Sequence, residues 1–395
     1  MIATGLLVAM LPLSMVWLSS DANKYRKLVW TSVFLIFDLI LFGAFTRLSD
    51  SGLGCPDWPG CYGLANPLLA HQQIGAAETL LPGGPVTVFK AWIEMTHRYL
   101  AFGIGVLIVT IMAQAWRQRR QERRAEFAPW LPTALFGFVC LQGAFGAWTV
   151  TQKLQPVIVS IHLLLGMGLL ALMTWLGSRQ DHLGATGNHS TVSQAGTEAS
   201  GRQRGCQAAL RTLALMAAVL LLIQIALGAW VSTNYATLAC QDFPLCGGKL
   251  IPEMDFEHGF TLWRALGKTA SGEYLPFPAL TAIHWVHRSF ALVVFGAIGY
   301  TAWRASAWPG LRNIARWIAI ALGWQACSGI ATIYFSFPLA IAVLHNGGAA
   351  LLVLLLTMLN YRVKFMPAWS TPADSAQARY RAQDASISAV LTAPK

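Results

Sequence analysis

Charge is what this sequence has least of. Asp, Glu, Lys and Arg together make up 11% of its 395 residues, less than half of the roughly 25% usual in a soluble domain. That shortage, beside 55% hydrophobic residues, excludes an ordinary water-facing globule. Acidic residues are the scarcer sign, 17 against 28 basic ones. The N-terminus lacks both the basic first segment and the small-x-small cleavage site of a secretory leader, so the apolar stretch 2–19 is expected to stay as an anchor helix. Cysteine is sparse, and its two close pairs lack the C-x-x-C spacing of a thioredoxin-like site.

What is present is apolar sequence in runs of about 20 residues, enough for a helix to cross a bilayer. Nine spans are expected, at 2–19, 28–47, 93–115, 129–149, 156–176, 208–231, 282–303, 313–334 and 338–360. The net charge of +11 gathers in 21–27, 116–126, 177–211, 303–316 and 361–395, with Arg117, Arg119, Arg120, Arg123 and Arg124 as its densest cluster. Alternate connections carry it, so it is a topology signal under the positive-inside rule and not a nucleic-acid surface. The expected topology has the N-terminus outside and the C-terminus in the cytoplasm. The segments 48–92 and 232–281 then lie outside, with all four paired cysteines in the compartment where disulfides persist.

The chain also repeats itself. Cys55-Pro-Asp-Trp-Pro-Gly-Cys61 recurs as Cys240-Gln-Asp-Phe-Pro-Leu-Cys246. Each loop is followed by a His-Arg pair, His97-Arg98 and His287-Arg288, and each copy then carries a Gln and a later lone histidine, Gln142 with His162 and Gln325 with His345. The expected fold is an all-α membrane protein of two tandem four-helix bundles, 28–176 and 208–360, related by a pseudo-twofold axis along the membrane normal. Residues 1–27 form an extra helix and inner loop, 177–207 a flexible inner linker, and 361–395 a cytoplasmic tail.

Four histidines at matching depth in apolar spans are functional candidates. An opposed pair of neutral imidazoles inside a bundle suits the axial positions of haem iron. Zinc favours four ligands, usually with Cys or carboxylate, and each copy offers two. His71, His258, His182 and His189 lie in loops or the linker and are set aside. Arg98, Arg288 and Arg47 stand near the outer interface, where haem propionates need cations; snorkelling to lipid headgroups is the other use open to them. For each cysteine loop, a structural disulfide and a redox role in the first loop are both open. Asp38, midway along its span, calls for a contact with the 2–19 helix or a buried polar bond.

Taken together, Thr46-Arg47-Leu48 running into Ser51-Gly52-Leu53, the first cysteine loop, Glu94-Met-Thr-His97-Arg98, and the histidines His162, His287 and His345 resemble the haem A synthase family over about 28–360. The resemblance implies a membrane oxidoreductase of the bacterial inner membrane that converts a methyl group of haem O to a formyl group, giving haem A for terminal oxidase assembly. It implies that His97 and His162 flank haem O and that His287 and His345 ligate haem b. It also implies as partners the haem O synthase that supplies the substrate and an electron-transfer partner whose identity stays open.

The copies differ at one telling place. Three residues before His97 stands Glu94, and three before His287 stands His284; such neighbours share a helix face. A carboxylate beside one centre can accept protons or stabilise a developing cation, which marks the first copy as the catalytic one. A di-haem electron-transfer cytochrome and a haem carrier or assembly factor without chemistry are the competing functions.

Overall fold

The computed structural model describes residues 2–122, 128–187 and 201–366. Arg123, Arg124, His189 and the tail from residue 367 lie outside the described residues. All regular structure among the described residues is helical: α1 (Ile2–Leu18), α2 (Lys24–Leu48), α3 (His71–Leu80), α4 (Val88–Glu122), α5 (Trp130–Thr151), α6 (Pro156–Gly187), α7 (Gly201–Thr233), α8 (Phe256–Gly259), α9 (Phe277–Ser306), α10 (Arg312–Tyr334) and α11 (Leu339–Phe365). Eight of them, α2, α4 to α7 and α9 to α11, are long and apolar enough to span a membrane. In hydrocarbon a backbone must bond within itself, which is what apolar helices achieve. Their starts carry the expected signals. The Asn23 side chain accepts the Arg26 N–H at the head of α2, α6 begins on Pro156, and Pro278 sits in the first turn of α9.

α1 is shorter, 17 residues, or about 26 Å at 1.5 Å per residue. It packs on α4 and α2. Gly5 and Gly103 allow the close approach, because a Cβ on Gly5 would meet the Phe102 ring at 2.1 Å and one on Gly103 would meet Val8 at 3.0 Å. Asp38 finds no buried polar bond among the described residues. It is exposed on the outer surface of α2, because the inner faces of that helix are taken by α4, α6 and α11.

The other eight spans close into two rings. In the first, α2 packs on α4 and α6, and α5 packs on the same two helices. In the second, α7 packs on α9 and α11, and α10 on the same two. Across the boundary α11 packs on α2 and α6, and α6 on α7, so one apolar core runs through both rings. The α5–α6 and α10–α11 turns repeat each other. Lys153 and Leu154 have φ of 50° and 58°, and Ser336 and Phe337 have 52° and 63°. The Leu154 and Phe337 N–H groups reach back to the carbonyls of Thr149 and Thr332 at 2.8 and 2.7 Å.

The helices overrun their apolar stretches at the ends away from the cysteine loops. Helix α6 continues to Gly187 and α7 begins at Gly201, so much of the expected linker 177–207 is helical; 188–200 lie outside the described residues. Tertiary contacts hold these polar turns. The Asp181 carboxylate on α6 accepts from Trp30 Nε1 on α2 at 3.2 Å and faces Arg26 at 3.4 Å. Gln207 on α7 donates to the Val363 and Met366 carbonyls at 3.1 and 3.2 Å. Composition alone reads such segments as loops because it does not register contacts made elsewhere in the chain.

Candidate functional site

The four histidines sit on diagonal helices. Helix α4 bears His97 and α6 bears His162, and these two helices each pack on α2 and α5; α9 bears His287 and α11 bears His345, with α7 and α10 between them in the same way. His97 and His162 are within electrostatic reach of each other, as are His287 and His345. Each ring rests on a glycine of a neighbouring helix. A Cβ would meet His97 Nε2 at 3.0 Å from Gly43, His162 at 3.1 Å from Gly146, His287 at 2.9 Å from Gly228 and His345 at 3.0 Å from Gly329. Any larger residue there would push an imidazole aside. These glycines escape sequence reading in a chain with 35 of them, although Gly43 and Gly228 stand at equal distances before Cys55 and Cys240, and Gly146 and Gly329 at equal distances before His162 and His345.

The polar surroundings of the rings differ. The Gln224 amide nitrogen lies 3.1 Å from His287 Nδ1. Ser328 Oγ lies 2.9 Å from His345 Nδ1, and the Gln325 amide nitrogen 3.2 Å from His345 Nε2. His97 instead stacks on Phe42, with planes 12° apart and centroids 6.3 Å apart, and His162 Nδ1 is buried without a hydrogen-bond partner. Among the described residues no group of three or more His, Cys, Asp or Glu converges on one point, so the donor set at each centre is two imidazoles.

The residues beside the histidines serve the cysteine loops. Cys55 pairs with Cys61 and Cys240 with Cys246, with Cα atoms 4.9 and 4.7 Å apart. Glu94 is buried; its Oε2 accepts the Cys55 N–H at 2.8 Å and its Oε1 pairs with Arg98. At the matching place His284 Nδ1 accepts the Cys240 N–H at 3.3 Å. Arg98 Nη1 donates to the carbonyls of Asp57 at 2.9 Å, Pro59 at 3.3 Å and Gly60 at 2.6 Å. Arg288 Nη2 donates to those of Asp242 and Leu245 at 2.9 and 3.1 Å, with its guanidinium over Phe243, while its Nη1 is buried and unpartnered. Arg47 reaches across to the second repeat, donating to the Ser232 carbonyl at 2.8 Å and to the Tyr235 hydroxyl at 3.2 Å.

The loop aspartates, passed over in the sequence apart from their repetition, shape the turns. Asp57 accepts the N–H groups of Tyr62 and Gly63, both at 2.6 Å. Asp242 accepts those of Gly247 and Gly248 at 2.7 and 2.8 Å. These bonds, that from Gly248 first, hold the Asp242 carboxyl below the usual carboxylate range. The remaining described histidines stand apart: His71 opens α3, His258 pairs with Asp255 at 2.7 Å, and His182 lies against the rings of Tyr361 and Phe365. Cys140, Cys206 and Cys327 are free and exposed.

Eight apolar spans in two rings, each with two histidines on diagonal helices within electrostatic reach of each other, define a multi-pass membrane protein with two histidine pairs. Residues 26–357 match the family model described as cytochrome oxidase assembly protein, and the chain belongs to that family. It is 35% identical over 338 residues to the haem A synthase of Shewanella oneidensis, covering 85% of this chain and 96% of that one. It is 28% identical to the haem A synthases of Sinorhizobium fredii (84% and 88% covered) and of a Caulobacter species (88% and 98% covered).

Proposed function

We infer that this chain is a haem A synthase, a membrane oxidoreductase that oxidises a methyl group of haem O to a formyl group for terminal oxidase assembly. The observation that carries the reading is the opposed imidazole pair in each ring. Two neutral nitrogen donors, each ring seated where a glycine leaves room for it, fit a macrocyclic iron better than a bare metal, which would need further ligands. His97 and His162 flank the substrate haem O, and His287 and His345 ligate haem b. A haem so bound supplies one-electron redox chemistry at its iron.

The chain's own residues orient the macrocycle and manage protons. Converting a methyl group to an aldehyde removes four electrons and releases protons, so a carboxylate near the first centre has a task. Glu94, one helical turn from His97, is that group, held in place by Arg98 and the Cys55 N–H. Arg288 keeps a donor for a propionate in its buried, unpartnered Nη1. Arg98, with Nη1 on three loop carbonyls and Nη2 on Glu94, serves the first centre by fixing the loop that covers it. Each cysteine pair is a structural disulfide within such a lid.

The two rings form repeats related by a pseudo-twofold axis. In support, α2 packs on α11 as α7 packs on α6, with α6 against α11 between them. The protein lies in the bacterial inner membrane with Lys24, Arg26, Lys27, Arg362 and Lys364 on the cytoplasmic side. The short helix α1 crosses to place the N-terminus outside. The deciding experiment is mass analysis of haems extracted from the purified protein. Haem b together with haem O or its oxidised forms is the expected result. Haem b alone at two per chain would make the protein an electron-transfer cytochrome, and haem O with no oxidised product on turnover would make it a carrier.

A further inference from the structure

The glycines beneath the four rings give a common register for the two repeats, and at that register the residues holding the rings are not the same. Four positions before Gly43 stands Leu39, and four before Gly228 stands Gln224. One position before Gly146 stands Phe145, and one before Gly329 stands Ser328. In the second repeat both histidines have a side chain on Nδ1, from Gln224 at 3.1 Å and Ser328 at 2.9 Å. Gln224 is itself anchored to the His287 carbonyl at 3.1 Å and Ser328 to the Gln325 carbonyl at 3.2 Å. In the first repeat Leu39 packs against the apolar core and Phe145 stands edge-on to Trp148. Among the described residues no side-chain hydrogen bond holds His97, and His162 Nδ1 is buried with no partner.

We propose that Gln224 and Ser328 are positioning residues that lock His287 and His345 as permanent iron ligands, and that Leu39 and Phe145 leave the first pair free to release and rebind its haem. The inference rests on the haem reading above and adds the residues that make one group retained and the other exchangeable. An imidazole that binds iron through one nitrogen is oriented by what its other nitrogen bonds, and losing that outer partner typically costs 10–100-fold in affinity. The Ser328 hydroxyl can accept from Nδ1–H and leave Nε2 to the iron. A half-turn of the Gln224 carboxamide exchanges its bond to the His287 carbonyl for one in which Oε1, otherwise buried without a partner, accepts from His287 Nδ1–H. Gln325, 3.2 Å from His345 Nε2, yields that nitrogen to the iron; Gln142 stands at the matching place in the first repeat, so this contact does not distinguish the two. A substrate site must empty on every turnover and a resident centre must not. The two kinds of surroundings meet those opposite needs.

The test uses the full-length protein in detergent, with haem b as the probe. Its release to an excess of apomyoglobin is timed, and the midpoint potential of the retained haem is measured. Ser328→Ala and Gln224→Leu are each expected to speed release about 10–100-fold and to shift the potential. Ser328→Thr, which keeps the hydroxyl, is expected to restore both. Leu39→Gln is expected to slow release from the first repeat, with His287→Ala as the background in which only that centre binds. Release rates and potentials unchanged in Ser328→Ala and Gln224→Leu would overturn the inference while leaving the haem reading intact. A wild-type chain that binds no haem at either pair would overturn the haem reading and this inference with it.

Discussion

Glu94 and His284 occupy matching turns of α4 and α9, and each accepts the backbone N–H of the first cysteine in its loop. The exchange of one for the other therefore preserves a structural bond while changing what else the side chain can do. Glu94→His copies the second repeat and is expected to keep the loop folded, keep the haem b spectrum and abolish haem A formation. Normal haem A production, assayed by pigment extraction, would remove Glu94 from the chemistry. Glu94→Gln is expected to share the loss of haem A with haem b intact. It is also expected to cost about 3–5 kcal/mol of stability, because the buried Arg98 loses its counter-charge. The seats beneath the rings give a second residue-scale expectation. Gly228→Ala puts a methyl group 2.9 Å from the His287 ring and should lower haem b per protein, read from the Soret band, whereas Gly146→Ala should spare haem b and impair haem O binding. The histidines and Glu94 were legible in the sequence because ionisable groups in apolar spans are conspicuous. Gly43, Gly146, Gly228, Gly329, Gln224 and Ser328 were not, because their importance lies in what stands opposite them.

At the scale of the element, each cysteine loop is held by three devices: the cysteine pair, an aspartate receiving two backbone N–H groups, and an arginine donating to loop carbonyls. Replacing Cys55 and Cys61 together with alanine is expected to remove about 2 kcal/mol of stability and leave haem A synthesis intact; loss of synthesis in a folded variant would assign the pair a redox role. The second loop should also respond to acid. Because hydrogen bonds depress the Asp242 carboxyl, its contribution is fully present above the unfolded value of about 4 and disappears as pH falls through the lower folded value. Amides of Gly247 and Gly248 should therefore lose protection, relative to their intrinsic exchange rate, below about pH 4, and an Asp242→Ala protein should lack that protection at neutral pH as well. The repeat of Cys, Asp, aromatic, Pro and Cys announced the loops in the sequence. It did not announce that Arg98 and Arg288 hold them, since their place beside histidines pointed equally to propionates and to lipid.

For the whole molecule, eight of the nine expected spans were legible in the sequence, because bilayer thickness sets a length that composition must meet; the ninth, at 2–19, is a helix of 17 residues that falls short of the other eight. Nothing in the sequence showed how the two rings meet. That contact combines apolar packing of α11 on α2 and α6 with the link of Arg47 at the cysteine-loop end to Ser232 and Tyr235, whose hydroxyl donates to Asp50 at 2.6 Å. Arg47→Ala should cost about 1.5–3 kcal/mol, as for the loss of hydrogen bonds from a charged group. The loss should show as a lower melting temperature in detergent with both centres still able to bind haem. Separate melting of the two halves in that variant would mark Arg47 as the tie between them.

The anchoring of the cysteine loops bears on how the protein is made. Asp57 and Arg98 gather the first loop through its own amides and carbonyls, and Asp242 and Arg288 gather the second. A newly inserted chain can therefore bring its thiols together before any oxidant reaches them. Oxidation is then expected to follow folding, closing a loop already shaped. Cells stripped of their thiol oxidase should still accumulate the folded protein, with its four buried loop thiols shielded from alkylation until it is denatured and all four labelled afterwards.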